Sequence, residues 1–118
     1  LVEIKTPQTK LLSSLYRDDV YAPSSEVSGA IIQIANYRDS LLKKFDGLIN
    51  PHGYEIEALN PSCLLIAGNI QQELTDYKQQ KSFELFRNGL RDVQLITYDE
   101  LFNKVKTLLD LLEGNLSV

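Results

Sequence analysis

The chain has no methionine, one cysteine and one histidine among its 118 residues. A lone Cys63 cannot close an internal disulfide, which suits a buried thiol in a reducing, cytoplasmic setting. With no histidine partner, it also lacks the pairing that activates a thiol nucleophile. His52 sits in the turn-like Asn50-Pro51-His52-Gly53 and has no second histidine, so the spacing of a zinc site is absent. No apolar run approaches the roughly 20 residues of a membrane-spanning helix, and no signal-peptide pattern opens the chain. Neither standard glycine-rich phosphate loop is present. A formal net charge of −4 argues against a chain that holds nucleic acid mainly by bulk charge. It leaves open a local basic channel beside catalytic acids, which are themselves negative. The missing methionine, and an opening inside an apolar strand-like run, read as part of a longer protein.

What remains is an ordinary globular composition, 43% apolar and 24% charged, with enough residues for one domain with its own core. The alternating run from Leu1 to Lys5 reads as a strand, followed after Pro7 by an irregular polar stretch to Ser25. Ser24 or Ser25 is a suitable helix cap with Glu26 in the first turn, and Val27, Ala30, Ile31, Ile34, Leu41, Leu42 and Phe45 recur at helical spacing. Asp46-Gly47 is expected to stop that helix, and 50–61 to form a loop. Cys63-Leu64-Leu65-Ile66-Ala67 resembles a strand buried on both faces. A helix over 78–90 with Phe83, Leu85, Phe86 and Leu90 as its apolar residues should follow, then a strand over 93–96. Thr97 and Glu100 have capping-box spacing. The last helix carries Leu101, Phe102, Val105, Leu108, Leu109 and Leu112 as a stripe expected to face the core. Strand, helix, strand, helix, strand, helix is the order of a layered α/β domain with helices on both faces.

Chemistry concentrates at the start. On a strand, residues two apart share a face, so Glu3 and Lys5 project together, with Val2 and Ile4 expected to be buried behind them. A carboxylate beside an ammonium suits a metal-dependent phosphodiesterase: the acid holds a divalent cation, and the lysine orients water or balances phosphate charge. It equally suits a solvated ion pair. Asp76-Tyr77-Lys78 repeats the spacing in a helix or loop context, where side chains two apart diverge by about 200° around the axis. Gln33 and Tyr37, four apart on the first helix, share a face. They fit either a polar contact to phosphate, water or base, or an ordinary surface pair. Lys10 and Arg17 lie near the strand with Asp18 and Asp19 beside them. Lys78, Lys81, Arg87 and Arg91 could border a phosphate path or simply be solvated.

The E-x-K strand followed by Q-x-x-x-Y on a helix resembles the PD-(D/E)-x-K nuclease superfamily. Val2-Glu3-Ile4-Lys5-Thr6-Pro7, then Ser25-Glu26-Val27-Ser28-Gly29-Ala30-Ile31 leading to Gln33 and Tyr37, is similar to the nuclease domain of Shedu antiphage defence proteins. Ser82-Phe83-Glu84-Leu85-Phe86-Arg87 and Ile96-Thr97-Tyr98-Asp99-Glu100-Leu101 extend the likeness over essentially the whole chain. The resemblance implies a restriction-endonuclease-like α/β core, a mixed sheet flanked by helices, of which 1–118 is the C-terminal part. It implies a bacterial, cytoplasmic, Mg²⁺-dependent DNA endonuclease acting within an oligomeric parent. Glu3 would be the metal ligand, Lys5 and Gln33 catalytic with Tyr37 in support, and Lys10 and Arg17 DNA contacts. The family's further acidic ligands belong to earlier strands, so these residues alone are expected to be inactive, with an uncovered sheet edge where those strands dock. Two other readings remain: a non-catalytic nucleic-acid-binding or assembly module, and a generic α/β interaction domain.

Overall fold

Three short apolar strands pair in parallel to form the centre of the computed structural model, which describes residues 1–49 and 61–114. They are β1 (Val2–Ile4), β4 (Cys63–Ile66) and β5 (Val93–Ile96), in the spatial order β1-β4-β5. Val2, Glu3 and Ile4 lie opposite Leu64, Leu65 and Ile66, and Cys63 to Ile66 lie opposite Val93 to Ile96. Among the described residues both β1 and β5 are therefore edges. An antiparallel hairpin, β2 (Leu12–Arg17) with β3 (Val20–Pro23), stands apart from that sheet. The helices are α1 (Ser25–Ile49), α2 (Ile70–Glu73), α3 (Tyr77–Asn88) and α4 (Tyr98–Leu112). The class is mixed α/β, a three-stranded parallel sheet and an antiparallel pair flanked by helices. Among the described residues no helix is long and apolar enough to cross a membrane.

Parallel pairing requires crossovers, and α1 supplies the first. Ser24 is its cap: the hydroxyl accepts from Val27 N–H at 3.1 Å while donating to the Lys10 carbonyl at 2.5 Å. Val27, Ala30 and Ile34 then face the strands and join Leu65, Phe83, Val93 and Leu95 in one core cluster. Each of these Val, Ile, Leu and Phe side chains, once buried, stabilises the fold by about 1.5–3 kcal/mol, and Ala30 by less. The helix runs through Asp46-Gly47 to Ile49, so that pair does not stop it. Residues 50–60, where a loop and His52 were expected, lie outside the described residues, as does the side chain of Phe45.

The stretch expected to be irregular between Pro7 and Ser25 contains the hairpin. Its turn is Asp18-Asp19, with Asp18 at φ +48°. Its register shifts twice, between Leu12 and Leu15 and between Leu15 and Arg17. Those shifts remove the strict alternation that marks a strand in sequence. The Glu73 carboxylate holds the hairpin's base, accepting from Leu11 N–H at 2.7 Å and Leu12 N–H at 2.9 Å. Ser82 of α3 accepts from Tyr21 N–H at 3.0 Å.

Four expectations about burial are overturned. Val2 and Ile4 are 60% and 65% exposed rather than buried, because α1 covers the opposite face of β1 and no layer covers theirs among the described residues. β4 is buried on one face only, through Cys63 and Leu65, with Leu64 and Ile66 half-buried. The stripe of α4 does not face the core: Phe102, Val105, Leu108, Leu109 and Leu112 are all exposed. Leu85 of α3, expected on the packed face, is likewise exposed.

Candidate functional site

Glu3 lies opposite Leu65, and partners in a parallel register point to the same side. Leu65 is fully buried with Val27, Ala30 and Ile34 of α1, so Glu3 and Lys5 project on the face that α1 covers. At the sheet's edge that cover is incomplete. The side chains keep 27% (Glu3) and 36% (Lys5) of their exposure, with Lys5 Nζ 3.8 Å from Glu3 Oε1. That separation is a loose ion pair in which the carboxylate keeps acceptor capacity for another ligand.

The backbone of Lys5 is better fixed than an edge position requires. Its N–H donates to the Ile66 carbonyl at 2.8 Å. Its carbonyl accepts the Tyr98 hydroxyl at 2.5 Å. Gln33 and Tyr37 lie on α1, and the Gln33 amide Nε2 donates to Tyr37 Oη at 3.0 Å. Both side chains are exposed, next to the buried Ala30 and Ile34. The structure thus joins Glu3 to Lys5 and Gln33 to Tyr37, on elements that pack together. No hydrogen bond or ion pair joins one couple to the other.

Lys10 and Arg17 stand elsewhere. Lys10 is exposed in the turn after β1, beside Glu73 in a cleft of about 430 Å³. Arg17 ends β2, its guanidinium 5.6 Å from the centre of the Tyr16 ring. Among the described residues no three His, Cys, Asp or Glu side chains gather to hold a metal. Glu3 fits as one oxygen ligand of a hard cation such as Mg²⁺, which takes near-octahedral oxygen coordination, and the described residues do not complete the set.

A second cleft, of about 680 Å³, runs along the opposite edge at β5, between α3 and α4. Its charges serve each other. Arg87 pairs with Glu84 and Glu100, donates to the Leu95 carbonyl at 3.4 Å and lies over the Phe83 ring at 4.9 Å. Burial works against its charge, but the two carboxylates outweigh burial and hold its pKa above the ordinary value. Glu100 shows the mirror effect: burial pushes it up, but Arg87 and the Thr97 N–H bring it below the usual range. Asp99 is also lowered against burial, by the Thr97 hydroxyl and the N–H groups of Ile70 and Gln71. Arg87 is therefore a tie between α3 and α4, not part of a phosphate path.

The family model described as Shedu protein SduA, C-terminal, matches residues 1–102. The chain belongs to the Shedu SduA family. Shedu protein SduA of Bacillus cereus (strain B4264) is 39% identical over 121 residues, covering 97% of this chain and 31% of that protein. The chain thus spans about a third of the length of the curated relative it matches. Shedu is an antiphage defence family, and Glu3, Lys5, Gln33 and Tyr37 all fall within the matched residues. Reading the sequence alone missed Tyr98 and Glu73. Nothing in their local pattern signals a hydroxyl or a carboxylate that reaches 93 or 62 residues back along the chain.

Proposed function

We propose that this Shedu family chain is the C-terminal part of a Mg²⁺-dependent DNA endonuclease domain in a bacterial antiphage defence protein. The observation that carries the reading is Glu3 beside Lys5 on a firmly hydrogen-bonded edge strand, on the side of the sheet where α1 presents Gln33. Glu3 would supply one carboxylate oxygen to the cation, and acidic side chains on earlier strands of the parent would supply the rest. The chemistry such a cation would supply is polarisation of a phosphate oxygen and a lowered pKa for a bound water. Lys5 places a compact positive charge where negative charge grows on the phosphate. Gln33, its amide held by the Tyr37 hydroxyl, orients a phosphate oxygen or the attacking water. The parent works as a homo-oligomer in the cytoplasm, and residues 1–118 alone do not cut, because one carboxylate holds a hard cation too weakly.

Cleavage of supercoiled and linear DNA by the full-length parent with Mg²⁺, beside its Lys5→Ala variant, tests this. Loss of about 10²–10³ in rate is expected, with an unchanged melting curve. Chelation of the metal should abolish cutting by the wild type. A variant that cuts at the wild-type rate removes Lys5 from the chemistry. A second reading, a nucleic-acid-binding or assembly module without catalysis, draws on Glu3 having no acidic companions for a metal among the described residues. DNA binding by a parent that never cuts would favour it.

A further inference from the structure

Lys5 and Thr6 are closed into a ring of hydrogen bonds by residues from the other end of the domain. The Lys5 carbonyl accepts the Tyr98 hydroxyl at 2.5 Å. The Tyr98 N–H donates to the Gly68 carbonyl at 2.9 Å, and the Gly68 N–H donates to the Thr6 carbonyl at 3.1 Å. Every corner of this ring is itself held. Tyr98 is the first residue of α4, following the fully buried Thr97, and its ring meets Phe102 at 6.0 Å. Gly68 sits at φ +70°, and a Cβ there would lie 2.6 Å from Leu11 Cδ2 and 2.8 Å from the Thr9 carbonyl oxygen. Only glycine takes that conformation and that space together.

We infer that Tyr98 is a positioning residue for Lys5, fixing the height of the lysine's backbone at the end of an edge strand so that its ammonium stays beside Glu3. This rests on the nuclease reading of Glu3 and Lys5. Among the described residues β1 is a three-residue edge strand, and β4 fixes only one side of its last position. The hydroxyl supplies a second anchor. It is the only group of Tyr98 whose loss leaves the helix start, the ring packing and the Gly68 contact in place, so Tyr98→Phe isolates it.

The test uses the full-length parent and its Tyr98→Phe, Phe102→Leu and Lys5→Ala variants. Tyr98→Phe should lower kcat about tenfold with KM for DNA unchanged, the signature of a displaced reacting group, not of lost binding. Hydrogen exchange should show the Lys5 amide opening about tenfold faster while the Leu64 amide keeps its protection. Phe102→Leu, which trims the ring contact and spares the hydroxyl, should leave kcat within about twofold. Tyr98→Phe cutting at the wild-type rate beside an inactive Lys5→Ala overturns the positioning role and leaves the nuclease reading standing. Equal losses in Tyr98→Phe and Phe102→Leu overturn it too, since packing and not the hydroxyl would then be responsible. Wild-type cutting by Lys5→Ala, or no cutting by the parent, overturns both together.

Discussion

In α1, Val27, Ala30 and Ile34 press against the strands and are buried; in α4, Phe102, Val105, Leu109 and Leu112 repeat at the same helical spacing and face outward. The stripe on α4 is the cleaner of the two in sequence. A helical period states which face of a helix avoids water. It does not state what covers that face. Anchorage differs in the same way. α1 packs along its first half on three strands, whereas α4 is tied mainly at its first turn, through Thr97, Tyr98 and the Glu100–Arg87 pair.

The largest effect should come from the buried stripe. Ile34→Ala leaves a cavity under the sheet and should cost about 2–5 kcal/mol in urea unfolding of the chain. Next comes the tie at the start of α4. Glu100→Gln removes a charged partner of Arg87 and should cost about 1–2 kcal/mol at neutral pH. Because the folded pKa values of Glu100 and Asp99 are lowered, their contribution is complete above their unfolded values and is lost as pH falls through the folded ones. Wild type should therefore lose stability below about pH 4.5, and the gap to Glu100→Gln should close there. Smallest should be Leu109→Gln on the exposed stripe, within about 0.5 kcal/mol in this chain. A loss above 2 kcal/mol from the same change in the full-length protein would show that the parent covers α4.

Elements whose signals are local were legible in the sequence. β5 and the apolar run of β4 stand out as short hydrophobic segments, α4 carries its capping box, and the start of α1 follows from Ser24 and Glu26. The β2–β3 hairpin was not legible, since its two register shifts break alternation and its turn is Asp-Asp rather than Asn-Gly. The face assignment of β1 was half legible. Alternation puts Glu3 with Lys5 and Val2 with Ile4, but which pair lies under α1 depends on β4, 61 residues on. Apolar residues were expected inside, and the edge strand reverses that. At the candidate site, the shared face of Glu3 and Lys5 follows from spacing on a strand and that of Gln33 and Tyr37 from spacing on a helix, while the Gln33–Tyr37 hydrogen bond was not foreseen. The second anchor on Lys5 does not follow from spacing, because a tyrosine hydroxyl's reach is a property of the folded chain.

That long reach has a consequence on the ribosome. Glu3 and Lys5 are made before the partners that hold them among the described residues, since Leu1 meets Ser62 61 residues later and Tyr98 reaches Lys5 across 93. At synthesis rates of about 5–20 residues per second, β1 waits roughly 3–12 s for β4, and longer for the hydroxyl that closes the ring. During that interval a three-residue strand with Val2 and Ile4 uncovered has no structure of its own. The segment carrying the proposed chemistry is locked late, when the start of α4 arrives.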